Sequence, residues 1–234
     1  MIALLIVIVC AYVFLKLSPY FIAYFEKEHV RNDVEPKAYE PTVWNSAYLL
    51  KQEVDAKDAS LKYCGSYFTS KHASVVKGYM LLYVTPGNDA IVSLVSARFG
   101  SSELKKVVIS TRFTDGTAFI TSDGFQLPDY TNGIRKQTLY RVSIVELLQA
   151  HANRLGESGK GIERVTSDNA FRLYEDIEFG RGERLVAMGY GRWADPAQSR
   201  VRRTIRGVFA CVKANRMAKE ALIKKELAKR NEGA

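Results

Sequence analysis

The chain has 234 residues, of which 47% are hydrophobic and 25% charged, with a formal net charge of +9. Those proportions exclude wholesale disorder and leave room for one ordinary domain with appendages, or at most two small domains. Its three cysteines, Cys10, Cys64 and Cys211, have no partner at metal or redox spacing, which argues against a disulfide framework and fits a reducing compartment.

Residues 2–15 carry no charge, Lys16 interrupts, Pro19 follows, and an apolar run resumes through Phe25. Fourteen helical residues reach only ~21 Å, but Met1 to Phe25 reach ~37 Å, enough to span a bilayer with some tilt. Residues 1–25 are therefore expected to be a single transmembrane anchor, with Lys16 snorkelling toward the near interface and Tyr20, Tyr24 and Phe25 forming an aromatic belt. A cleaved signal peptide fits less well, because there is no basic leader and no small-x-small site. Basic residues near the span, namely Lys16, Lys27, Arg31 and Lys37, all lie at its C-terminal side. The positive-inside rule then puts the N-terminus outside and the rest of the chain in the cytoplasm.

Residues 26–41 are charged, hold Pro36 and Pro41, and read as a juxtamembrane connector. A globular α+β domain is expected over 42–197. It opens with a helix from Thr42 to about Asp58, where Val43, Ala47, Leu50 and Val54 recur at helical spacing. The period then changes. Strands are expected over Lys62–Thr69, Val75–Thr85, Ala90–Arg98, Lys105–Phe113 and Thr117–Ser122, divided by turns at Pro86–Asp89, Gly100–Ser102 and Thr114–Gly116. Five consecutive strands on short turns make an antiparallel β-meander packed with helices.

Residues 123–140 show no period and read as the longest loop of the domain. Ser143 and Glu146 form a capping box that starts a helix ending at Gly156. Ser167-Asp168 is placed to cap another through Tyr174 and Ile177. Four glycines leave 180–195 unassigned.

From about Gln198 to Lys229 a long amphipathic helix is expected within a basic C-terminal segment, 198–234. Val201, Ile205, Val208, Phe209 and Val212 form one stripe. This segment holds eleven basic side chains against three acids, a net +8, so the remainder of the chain carries only +1 of the total. Arg202, Arg203, Arg206 and Lys213 are the candidate residues for binding an anionic surface: a lipid headgroup layer or an acidic protein partner. Nucleic acid is disfavoured, because no aromatics interleave with these arginines and no recognised module surrounds them.

Several strings imitate chemistry. Gly156–Gly161 (GESGKG) lacks the first glycine of a phosphate-binding loop, its Ser or Thr after the lysine, and the preceding strand. Gly189–Ala194 matches a dinucleotide fingerprint by letters only. His29, His72 and His151 are isolated, Cys64 has no local base, and Glu175, Asp176 and Glu178 read as a solvated helix face. No catalytic, metal-binding or cofactor-binding residue is assigned, and no cofactor is implied. The expectation is a membrane-anchored, non-enzymatic accessory, scaffold or binding module. The alternative is a membrane-tethered enzyme, a hydrolase for instance, whose site is assembled from residues distant in sequence.

Overall fold

Along the chain of the computed structural model run α1 (Ile2–Phe25), β1 (Lys27–His29), β2 (Val34–Pro36), α2 (Ser46–Asp58), β3 (Lys62–Thr69), β4 (Val76–Val84), β5 (Ile91–Phe99), β6 (Ser102–Arg112), β7 (Ala118–Ser122), β8 (Ile134–Thr138), α3 (Ile144–Ser158), α4 (Ala170–Glu178), α5 (Arg181–Ala187), β9 (Gly191–Asp195), β10 (Arg200–Arg203) and α6 (Ile205–Glu232). The backbone is described except at 1, 26, 30–33, 37–45, 70–75, 100–101, 125–128, 132, 179, 196–199 and 233–234; side-chain surroundings are described for 12–25, 47–68, 78–97, 104–124, 129–131, 133–178, 180–194 and 201–220. The expected cap at Thr42, the turn at Gly100-Ser101 and most of the connector lie outside those residues. The chain divides into two compact units, one of residues 31–126 and 132–180, the other of residues 1–30, 127–131 and 181–234.

The first unit is α+β. Its sheet has the order β2-β3-β4-β5-β6-β7-β8. Strands β3 to β7 form the expected antiparallel meander, and short β2 extends the β3 edge. β4 shows why the sequence alternates so weakly there. Tyr79, Leu81 and Tyr83 face α2 and α3 on one side of the sheet, while Met80, Leu82 and Val84 face α4 on the other. A strand covered on both faces reads as a continuous apolar run. Leu49 and Ala56 of α2 and Ile144 and Leu147 of α3 complete the first layer; Ala170, Leu173 and Tyr174 of α4 complete the second. Each fully buried Leu or Ile here contributes about 2 kcal/mol of apolar transfer energy.

Residues 123–140 are not one loop. β8 lies within them and pairs parallel to β7, from Ala118↔Ile134 to Ser122↔Thr138. Only Ile134 of its five residues is buried, so this edge strand has no alternation for a sequence reading to detect. α3 starts at Ser143 with the capping box formed. The Ser143 Oγ accepts from the Glu146 amide at 3.2 Å, and the Glu146 carboxylate accepts from the Ser143 amide at 2.7 Å. The helix continues past Gly156 and ends at Gly159, whose φ is 62°. Before α4, Ser167 and Asp168 sit inside a turn that Asn169 closes by accepting from the Thr166 amide and donating to the Arg164 carbonyl.

The second unit joins α1, α5 and α6 to a three-stranded antiparallel sheet, order β1-β10-β9. The expected helix from Gln198 is corrected here. Residues 200–203 are strand, and α6 begins only at Ile205. Val201 is fully buried against Leu185, and Arg203 points the same way. The four residues 200–203 are too few to show either period, and pairing with β1 and β9 decides it. Thr204 is the true N-cap: its Oγ1 accepts from the Gly207 amide at 3.2 Å. The unassigned stretch 180–195 resolves into α5 and β9.

α1 runs through Pro19 without stopping. Proline offers no amide to the carbonyl of Leu15, and the Ser18 hydroxyl donates to that carbonyl instead, at 3.0 Å. The Lys16 ammonium lies 5.5 Å from the Tyr12 ring centroid, one turn toward the N-terminus. Among the described residues no helix is long and apolar enough to cross a membrane. The side chains of residues 1–11, the first part of the expected anchor, lie outside them.

Candidate functional site

The cationic residues singled out in the sequence sit in the second unit, and they do not act as one surface. Arg203 is buried, 4% exposed. Its Nε donates to the Tyr130 hydroxyl at 2.8 Å, and its Nη1 donates to the backbone carbonyl of Ala23 at 3.0 Å. Ala23 lies in the last turn of α1, where carbonyls have no helical donor, so the guanidinium caps that helix and meets the negative end of its dipole. Arg203 is therefore a structural cation, and it is removed from the anionic-surface set. A strand's two-residue period turns it inward with Val201, where a helical period had placed it outside. Arg202, between them, is half-buried on β10.

Arg206 and Lys213 remain on the surface. Both are exposed on α6, two turns apart on one side. The Arg206 guanidinium lies 5.1 Å from the Tyr190 ring centroid. From Ile205 to Lys219, α6 contains no acid. The first, Glu220, pairs with Arg216 at 2.9 Å.

Ala23, Val208 and Cys211 form a small buried cluster with Tyr20, Tyr24, Tyr130 and Val212 around it, so the end of α1 and the start of α6 are one packed body. Gly207 lets α6 lie close to the chain at Tyr190. A Cβ at that position would lie 1.8 Å from the Tyr190 carbonyl oxygen. The glycines of the false dinucleotide fingerprint have similar duties. Gly189, φ 68°, follows α5, and Gly191 packs where a Cβ would meet Val201 at 2.6 Å.

Between the two helices runs an apolar groove of about 490 Å³, walled by Leu17, Phe21 and Phe25 of α1 and by Ile205, Val208 and Phe209 of α6. The Tyr20 and Phe209 rings meet across it, with centroids 5.1 Å apart. The groove was missed in the sequence because its walls lie some 180 residues apart. The available signals were the i, i+4 pairs Leu17-Phe21-Phe25 and Ile205-Phe209 standing beside, not within, the buried stripes. No protein-family model, no curated protein and no solved structure matches this chain. The chemistry of the site rests on its own geometry.

In the first unit, a cleft of about 190 Å³ lies among the ends of β6, β7, β8 and α3, with Arg135, Arg154, Glu157 and Lys160 on its walls. The Lys160 ammonium, which resembled a phosphate-loop lysine, donates to Asp115 at 2.6 Å and to Thr117 at 2.9 Å. The bond from Lys160, with those that the Thr117 hydroxyl and amide donate, holds the Asp115 carboxylate well below its usual range. Arg154 pairs with Glu157 at 3.6 Å. The supposed solvated acidic face of α4 is partly engaged: Asp176 accepts from Arg112 at 2.6 Å.

His151, isolated in sequence, is 2% exposed beneath α3. The Thr111 hydroxyl donates to the Asp89 carbonyl at 2.7 Å, so its oxygen accepts from His151 Nε2 at 2.9 Å. That leaves Nδ1 to accept from the Thr121 hydroxyl, also at 2.9 Å. Burial pushes the imidazole down to about 4, although Asp89 pulls weakly the other way. The ring is neutral, closed in and away from solvent. Among the described residues no group of three His, Cys, Asp or Glu is placed to hold a metal ion.

Proposed function

We propose that the protein is a membrane-tethered, non-enzymatic accessory or binding module. Residues 1–25 are its anchor, and the exposed flank of α6, with Arg206 and Lys213, rests on an anionic surface beside that anchor. One observation carries the reading: the exposed apolar side chains of Leu17, Phe21 and Phe25 on α1 continue onto Ile205 and Phe209 of α6, and Arg206 and Lys213, which have no ion-pair partner among the described residues, lie beside them. A helix of 24 residues reaches ~36 Å, enough for a hydrocarbon core. The same continuity favours lipid headgroups over an acidic protein as the anionic partner, since a cytoplasmic leaflet carries negative charge at that level. Single-pass topology with the N-terminus outside follows from the position of Lys16, Lys27, Arg31 and Lys37.

The alternative of a tethered enzyme draws less support. In the cleft of the first unit Arg154 pairs with Glu157 and Lys160 with Asp115, and the shifted Asp115 carboxylate is occupied by Lys160 and Thr117.

Alkaline carbonate washing of membranes tests the tether: the chain should stay in the pellet, and its release would overturn the anchor. Sidedness is read with an impermeant thiol reagent. Cys64 is half-buried and Cys211 buried, so both should stay unlabelled in intact cells and react after permeabilisation and denaturation. Labelling of Cys64 in intact cells would reverse the topology.

A further inference from the structure

We propose that the groove between α1 and α6 holds one acyl chain of an anionic phospholipid, whose headgroup phosphate is taken by Arg206 and Lys213. The inference rests on the membrane-tether reading and names the partner of that site.

The groove's own chemistry selects the occupant. Its walls are aliphatic and aromatic, and the only polar side-chain atoms among them are the hydroxyls of Tyr20 and Tyr24. An extended peptide laid there would bury backbone amides and carbonyls without partners, at a cost of several kcal/mol. An acyl chain has no such groups. Phe21, Phe25, Ile205 and Phe209 are 56%, 65%, 71% and 59% exposed, a contiguous apolar patch that marks an interaction surface. The volume falls within the usual range for sites that enclose small ligands.

Charge then chooses among lipids. On α6, Phe209 stands between Ile205 and the side that carries Arg206 and Lys213. Among the described residues, neither cation has an ion-pair partner. A chain lying along Ile205 and Phe209 brings its headgroup beside those two cations, and the phenols of Tyr20 and Tyr24 sit at the level where such rings favour the interface. A second copy of this surface fits less well, because it would set two such cationic rows against each other.

The full chain in mild detergent, stripped of lipid, provides the test. Phe209→Trp places a reporter in the groove, and phosphatidylglycerol brominated on its acyl chain is the probe. Quenching should saturate at one lipid per chain. Phosphatidylcholine with the same brominated chain keeps the phosphate but sets its choline cation against Arg206 and Lys213, and with no net headgroup charge for the two cations to meet it should bind roughly thirty-fold more weakly. The added changes Arg206→Gln and Lys213→Gln should erase that preference, and Ile205→Asn should abolish saturable quenching. All these positions are exposed, and an unchanged thermal midpoint confirms that the variants fold. Native mass spectrometry of the unaltered chain, gently extracted, should show one retained phospholipid. Quenching that rises without saturation, quenching indifferent to Ile205→Asn, or a dimer with no bound lipid would each overturn the proposal. Carbonate extraction reads the tether separately, so a chain that stays in the membrane yet fails to bind lipid refutes the groove alone.

Discussion

Among the described residues, His151 and Arg203 are each the most thoroughly enclosed nitrogen-bearing side chain of their own unit, and the two units enclose them by opposite means. Beneath α3, His151 is held neutral between two threonine hydroxyls that face it from β6 and β7. In the second unit, Arg203 keeps its charge and spends it on a phenol and on the carbonyl end of a helix. A buried base with an accessible pKa can be switched by acid, whereas a guanidinium cannot be discharged and is lost only by mutation. One unit should therefore answer to pH and the other should not.

The largest effect is expected at Arg203. Arg203→Met removes two charge-assisted hydrogen bonds and strands the Ala23 carbonyl and the Tyr130 hydroxyl. About 4 kcal/mol should be lost, read as a fall in thermal midpoint of roughly 8–16 °C. A midpoint within 2 °C of the parent would mean that water serves those groups equally well.

His151 comes next. Its folded pKa, about 4, is below the ordinary 6.5. Between those values the unfolded chain takes up a proton that the folded chain refuses, so stability is full above pH 6.5, falls as pH drops toward 4, and levels off below. The fall amounts to about 3 kcal/mol. Urea unfolding across that window should show the slope, and His151→Asn, which still offers a donor and an acceptor, should remove it. A slope that survives the substitution belongs to carboxylates instead.

Gly207→Ala tests how tightly α6 meets the chain at Tyr190. Its Cβ would require the helix to move, and overpacking of that kind costs about 2 kcal/mol. Because α6 carries one wall of the groove, lipid retention should fall with stability. At the small end, Arg206→Gln and Lys213→Gln should each change stability by less than about 1 kcal/mol, since both are exposed. A larger loss would make them structural cations like Arg203.

The meander was legible because each signal was local. Pro86-Gly87 and Thr114–Gly116 announce turns, and the runs between them have strand length. The capping box at Ser143 was legible for the same reason. β8 was not, because an edge strand with one buried residue carries no period. Residues 200–203 misled for a subtler reason: four residues support either a strand or the first turn of a helix, and pairing with β1 and β9, set far away in sequence, chose the strand. Of the four cations read as a surface, Arg206 and Lys213 are exposed, Arg202 is half-buried and Arg203 is buried. The loss of Arg203 follows directly from that change of period. His151 looked idle because its partners, Thr111 and Thr121, lie 40 and 30 residues away.

The hydrogen bond from Arg203 to Ala23 joins residues 180 positions apart. On a ribosome the first helix emerges long before the strand that finishes it. At 5–20 residues per second the interval is roughly ten to forty seconds. Through that time the final turn of α1 has open carbonyls and Tyr130, once made, has no guanidinium to meet. A nascent chain halted before β10 would thus carry an unsealed helix end.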